Sequence, residues 1–277
     1  MTEATRHTPG TPCWASLMVH RLDTIQSFYH ELFGWDFSPG PQPLGPYVRA
    51  RLGGKDVAGL GQLPVEREAP MAWTPYLATD DTDACAVAAR SSGGTVAVGP
   101  LDAGDAGRLA IVADPVGAIF GMWQRAALAG TAVRGTHGTP VWHELLTVET
   151  VVVRKFYETV FGYGAEESRA EGTDRVTLRL DGRPVAALHG LGRLPRSQGS
   201  HWMIFFEVDD TDRAAQRVGE LGGRVVEPPH DGPRGRTATV ADPEGAVFRI
   251  VRSPRPAPSG PDSGPRADHR SDPQTGP

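Results

Sequence analysis

Glu144, His189 and His201 are side chains whose types could do chemistry. A carboxylate can take a proton or anchor a ligand, and an imidazole titrates near neutrality, so Glu144 with His189 reads as an acid–base couple. His201 and Arg249 extend the set toward ligand binding, with Arg249 placed to meet a ligand carboxylate or phenolate, or Glu144 itself. Trp14, Trp73 and Trp142 add flat faces for a planar aromatic molecule to stack on. Cys13 and Cys85 cannot form a metal cluster or a disulfide framework and read as small apolar fillers.

These residues are unevenly shared between the copies of an internal repeat. Trp14, Leu17, Phe28-Tyr29 and Phe33-Gly34 recur at one constant spacing as Trp142, Leu145, Phe156-Tyr157 and Phe161-Gly162. Leu52, Gly54, Val57-Ala58 and Leu60 return as Leu180, Gly182, Val185-Ala186 and Leu188, and Asp114-Pro115 returns as Asp242-Pro243. The counterparts of Glu144, His189 and His201 in the first copy are Ser16, Gly61 and Ala72, none of which titrates. The second half is therefore expected to hold the chemical site and the first to be its apolar partner.

The elements that must position these residues follow from period and punctuation. Trp14 to Val19 alternates as a strand, and Asp23 to Phe33 sets Ile25, Phe28, Tyr29 and Leu32 on one helical face before Gly34 ends it. Tyr47 to Leu52 and Asp56 to Leu60 read as strands around Gly53-Gly54. Trp73 to Thr79 is a strand, Asp81 to Ser91 a helix with acidic and Thr capping candidates, and Leu109 to Ala113 with Ala118 to Gln124 a closing pair. The second copy repeats this through Arg252. We expect domains at 11–125 and 140–252, a link at 126–139, and unstructured ends at 1–10 and 253–277, the last being Pro, Gly, Ser and charge.

Composition bounds the function. The 277 residues contain Gly 34 and Pro 25, which suits a loop-rich protein of two ordinary domains. A balance of 28 basic against 33 acidic residues, with no basic block, argues against nucleic acid as a partner. No run of about twenty apolar residues and no signal-peptide core is present, so no membrane partner and a cytoplasmic location are expected. Usage rich in Ala, Gly, Arg and Pro and poor in Lys resembles that of high-GC actinobacteria.

The helix carrying Phe28-Tyr29 and ending Phe33-Gly34-Trp35, its copy ending Phe161-Gly162-Tyr163, and the closing Asp-Pro-x-Gly-Ala-x-Phe segments at 114–120 and 242–248 resemble vicinal-oxygen-chelate domains. That superfamily includes glyoxalase I, extradiol dioxygenases and bleomycin-sequestering proteins. The resemblance covers nearly everything from Thr11 to Arg252. It implies an α+β fold of two tandem domains, each of two βαβββ modules whose curved mixed sheets surround a cup. It also implies a divalent metal held by His and Glu, at positions that fall near Trp14, Gly59, Thr74 and Gly121 in the first copy and Trp142, Ala187, Met203 and Arg249 in the second. None of these is a ligand of the expected type, so we expect no metal and no other cofactor.

The resulting expectation is a protein of specialised metabolism that binds a small aromatic or polycyclic molecule in an aromatic-lined cup. It would sequester the molecule or transform it through Glu144 and His189. The alternatives are a metal-dependent lyase, isomerase or dioxygenase with an unconventional centre in the second domain, and a regulatory or protein-interaction module. The modules can pair first with second and third with fourth, or first with fourth and second with third, and a homodimer is possible; the sequence leaves these open.

Overall fold

A computed structural model describes residues 7–42, 45–64, 71–125, 135–168, 174–194 and 199–254. The first half runs β1 (Pro12–Val19), α1 (Leu22–Phe33), β2 (Asp36–Pro39), β3 (Tyr47–Leu52), β4 (Lys55–Gln62), β5 (Trp73–Thr79), α2 (Thr82–Ser91), β6 (Thr95–Asp102), β7 (Gly107–Ala113) and β8 (Ile119–Arg125). The second half repeats the order with β9 (Pro140–Thr147), α3 (Thr150–Phe161), β10 (Gly164–Glu167), β11 (Asp174–Leu180), β12 (Arg183–Gly190), β13 (His201–Glu207), α4 (Thr211–Glu220), β14 (Arg224–Gly232), β15 (Gly235–Ala241) and β16 (Val247–Arg252).

Local chemistry explains most boundaries. In α1, Ile25, Phe28, Tyr29, Leu32 and Phe33 form one buried stripe, and Gly34 then adopts a left-handed conformation (φ 71°) that few other residues accept. Asp81 and Asp210 open α2 and α4 by accepting the backbone N–H of Ala84 and Arg213. The strands that the period did not reveal are β2, β6, β10 and β14, and all four lie at sheet edges. There short length and prolines, such as Pro100 in β6 and Pro228 and Pro229 in β14, are tolerated because a ladder on one side suffices.

Each half makes one eight-stranded mixed sheet, in the orders β2-β3-β4-β1-β5-β8-β7-β6 and β10-β11-β12-β9-β13-β16-β15-β14. Within each, the first strand of a module runs parallel to its last, as β1 with β4 and β5 with β8, and the two modules join antiparallel through β1 with β5 or β9 with β13. The sheets thus pair the first module with the second and the third with the fourth.

The cores pair differently. One joins α1 and the back of β1 and β4 to Ile204, Phe206, Val218, Phe248 and Ile250, so it belongs to the first and fourth modules. The other joins Phe120 and Met122 to Phe156, Tyr157 and Leu178, from the second and third, and Trp202 of the fourth enters it as Trp73 of the second enters the first core. Both pairings are therefore used, one by the sheets and the other by the cores.

Reciprocal polar contacts fix this arrangement. Trp73 Nε1 donates to the Tyr29 hydroxyl (3.0 Å), which donates to Asp242 Oδ2 of the other half (3.2 Å). In the repeat-related core Trp202 Nε1 donates to the Tyr157 hydroxyl (3.1 Å), which points at Asp114 Oδ2 (3.4 Å). Glu244 accepts the backbone N–H groups of His20 and Arg21, and Trp35 Nε1 donates to the carbonyl of Gly138. Of the expected unstructured start, residues 1–6 lie outside the described residues, whereas Gly10 is a correction: it is buried, its N–H bonds Ala78 and its carbonyl accepts from the Tyr163 hydroxyl. The expected link and tail are described only at 135–139 and 253–254.

Because each core draws on both halves, the full chain is expected to unfold calorimetrically in one transition, and residues 1–125 alone to give no folded domain. Two separate transitions would show independent halves. Burial pushes the Asp114 carboxyl up to about 6 against backbone donors that lower it. The associated stability is fully present below the unfolded value of about 3.9 and is lost as pH rises through about 6, at most about 3 kcal/mol. Asp114→Asn keeps an acceptor for the N–H groups of Val116 and Ala118. It is therefore expected to gain stability relative to the parent between pH 4 and 7 in denaturant titrations; a relative loss would contradict this.

Candidate ligand cups

Strand alternation assigns every second residue of the central strands to the cores, leaving the others for the concave faces. On β1, Ala15, Leu17 and Val19 enter the core, while Trp14, Ser16 and Met18 face the first cup. The cup opens to solvent, and the space inside it, counted out into that solvent, is about 810 Å³. Its walls include Trp14, Tyr47, Tyr76, Leu109 and Trp123. Trp14 and Trp123 meet edge to face with centroids 5.7 Å apart, and Tyr76 meets Trp123 at 6.3 Å.

The floor of this cup is polar but uncharged. Trp14 Nε1 donates to the Tyr47 hydroxyl at 2.9 Å, and Ser16 Oγ lies 2.7 Å from the same oxygen. Burial raises the Tyr47 pKa, so the hydroxyl stays neutral. Gly59 and Gly121, at two positions where the family resemblance implies metal ligands, make room for these rings. A Cβ at Gly59 would come within 1.8 Å of the Tyr47 hydroxyl, and one at Gly121 within 2.2 Å of the Tyr76 ring. The charged residues at this cup, Arg49 and Asp56, face each other at 3.5 Å.

At the same repeat positions the second cup carries charge. Glu144 replaces Ser16 and is 1% exposed, with its Oε1 3.0 Å from Arg175 Nη1 and its Oε2 accepting from Arg249 Nη1 at 3.1 Å. Arg175 stands where the first half has Tyr47, and Arg249 where it has Gly121. Arg249 Nε donates to Thr239, whose hydroxyl donates to Glu227 at 2.6 Å. Arg234 lies over the Trp142 ring with its guanidinium carbon 3.1 Å from the centroid. Trp142, Leu146, Met203 and Phe205 supply an apolar wall.

The expected couple is only partly assembled. His189 Nδ1 is 3.9 Å from Glu144 Oε2, beyond a hydrogen bond, and 3.1 Å from Arg175 Nη2. Arginine only donates, so Nδ1 accepts and the ring proton resides on Nε2. Burial, then Arg175, lower the His189 pKa against the opposing pull of Glu144, leaving the ring neutral at pH 7. Arg175 therefore engages both members of the couple. His201 begins β13 at the rim, its Nδ1 2.9 Å from the Gly199 carbonyl, and does not join Glu144. Trp73 is corrected outright: it is 2% exposed, lies in the core with Tyr29, and presents no face to either cup. Sequence reasoning did not assign Tyr47, Tyr76, Arg175 or Arg234 to a site. The signal available was the exchange of Tyr47 for Arg175 at one repeat position.

The residues present do not fit the superfamily's metal. Such an ion needs several imidazole or carboxylate donors around one point. The first cup has none at the corresponding positions, and in the second a permanent cation, Arg249, sits against Glu144. Among the described residues no three His, Cys, Asp or Glu side chains converge. A further cleft of about 570 Å³ lies where the starts of β1 and β9 approach, lined by Pro12, Trp14, Pro140, Trp142, His143 and Pro184. Among the described residues no helix is long and apolar enough to cross a membrane.

Comparison with known proteins agrees with the fold. Residues 145–251 match a family model described as a glyoxalase-like domain. The chain is 34% identical over 267 residues to CFP32 of Mycobacterium tuberculosis, which carries the name of a glyoxylase, covering 93% of this chain and 99% of that one. It is also 34% identical over 261 residues to the anthracycline biosynthesis protein DnrV of Streptomyces peucetius, covering 89% and 94%. Among solved structures, the 2,3-dioxygenase LapB from Pseudomonas sp. KL28 aligns with TM-score 0.63 at 16% identity, covering 91% of this chain and 96% of that one. The Mn(II)-bound glyoxalase from Novosphingobium aromaticivorans aligns with TM-score 0.61 at 17% identity, covering 89% and 85%. With duplicated βαβββ modules, cupped mixed sheets and relatives matched over nearly their whole length, this chain belongs to the glyoxalase-like proteins of the vicinal-oxygen-chelate superfamily.

Proposed function

We propose that the protein binds a planar, largely uncharged aromatic or polycyclic metabolite in the cup of its first half and holds it without acid–base conversion. The observation that carries this reading is the open cavity walled by Trp14, Tyr47, Tyr76 and Trp123. Its rings supply faces and edges for stacking, and the neutral Tyr47–Ser16 pair at the floor suits a carbonyl or phenol oxygen. The likeness to DnrV supports a polycyclic ligand, since that relative is named for anthracycline biosynthesis. Holding without conversion is supported by Arg175 and Arg249, which occupy the Glu144 carboxylate, and by the distance from Glu144 to His189.

Titrating the full chain with a trihydroxyanthraquinone is expected to quench tryptophan fluorescence saturably, with the ligand recovered unchanged by chromatography. Trp123→Ala is expected to weaken binding about tenfold, equivalent to about 1.4 kcal/mol. Gly121→Ala, whose added methyl forces the Tyr76 ring to move, is expected to weaken it as well. A Glu144→Gln/His189→Ala variant is expected to stay within about twofold of the parent. Absence of saturable quenching, or a product that the double variant fails to form, would overturn the reading.

A further inference from the structure

The second cup holds more positive than negative charge. Arg175, Arg234 and Arg249 face the carboxylates of Glu144 and Glu227, and His189 is neutral. Glu144 is already in contact with Arg175 and Arg249, and Glu227 lies 3.7 Å from Arg249 while accepting from Thr239. Among the described residues no carboxylate reaches Arg234, although burial, partly opposed by Glu144 and reinforced by Arg175, lowers its pKa to about 10. It remains a cation at pH 7.

Trp142 supplies an independent observation. Its side chain is 7% exposed and its Nε1 is buried with no hydrogen-bond partner among the described residues. The cause lies in the repeat. In the first half Trp14 Nε1 donates to the Tyr47 hydroxyl, but the equivalent residue in the second is Arg175, which has no acceptor to offer. A buried N–H without an acceptor costs about 1–3 kcal/mol, so the site is complete only when something supplies an oxygen. Arg234 is positioned for the same oxygen-bearing group. At 3.1 Å from the Trp142 centroid its guanidinium must lie flat on the ring, since an upright one would drive a nitrogen into it. Its N–H groups then point outward in the plane, in the fork geometry that matches a carboxylate.

We propose that the second cup is a binding site for a small organic carboxylate, held by Arg234 and the Trp142 N–H beside the Arg175–Glu144–Arg249 cluster. Leu146, Met203 and Phe205 cluster with Trp142 and make its surroundings apolar, which favours an organic acid over an inorganic oxyanion. The site is separate from the aromatic cup of the first half and does not depend on what that cup binds.

Calorimetric titration of the full chain with benzoate, its neutral isostere benzamide and inorganic phosphate tests this. Benzoate is expected to bind saturably, with benzamide and phosphate at least tenfold weaker. Arg234→Gln is expected to weaken benzoate at least tenfold and Arg234→Lys less, while Trp142→Phe, which keeps a ring and removes the N–H, weakens it severalfold. Unchanged hydroxyanthraquinone binding in these variants shows that they are folded and that the two sites are distinct. Equal binding of benzoate and benzamide, no benzoate binding, or an unchanged affinity in Arg234→Gln would overturn the proposal, and phosphate binding as tightly as benzoate would overturn the organic-acid assignment.

Discussion

The shared cores are the constraint on which the rest of the structure depends. Phe33 stacks on Phe206 of the other half at 5.2 Å, and Tyr29 reaches Asp242 across the same boundary. Phe120 packs on Tyr157 at 5.4 Å in the repeat-related core. With one face of every central strand committed to this packing, only alternate residues remain for recognition, and those residues line the cups. The helices lie with the cores, away from the cups, so function can diverge on one face without disturbing the other.

That separation allows one scaffold to carry two unlike sites. Ser16, Tyr47, Tyr76 and Gly121 occupy the repeat positions of Glu144, Arg175, Phe205 and Arg249. In the first set a hydroxyl pair and two rings leave an open, neutral space, because the glycines let the rings lie close to the sheet. In the second, guanidinium groups extend across the floor to a buried carboxylate. A buried ion cluster is a poor source of net stability, because desolvation offsets most of the attraction.

Much of the fold was legible in the sequence because its signals are local. The repeat, the stripe from Ile25 to Phe33 and the closing Asp-Pro turns each announce an element by spacing alone. The edge strands β6 and β14 were hidden by prolines that only an edge accepts. Module pairing was illegible because the sheets and the cores use the same apolar pattern to make different pairings. At the site, Glu144 stood out as a carboxylate in a strand, and the structure buries it. Arg175 did not stand out, since alternating charge in a strand reads as a solvated face. Trp73 and Trp14 could not be told apart by type, and one register step decides whether a tryptophan enters the core or the cup. Gly59 and Gly121 read as missing ligands, whereas in the structure they are the space that Tyr47 and Tyr76 require.

A crystal structure of the protein with a bound trihydroxyanthraquinone would test the central claim most directly, because it reports which surface the ligand selects. The account predicts the ring system in the first cup, against Trp14, Tyr76 and Trp123, with an oxygen near the Tyr47 hydroxyl and the Arg175–Glu144–Arg249 cluster undisturbed. A ligand seated in the second cup on Glu144 and His189, or in the cleft between β1 and β9, would contradict it.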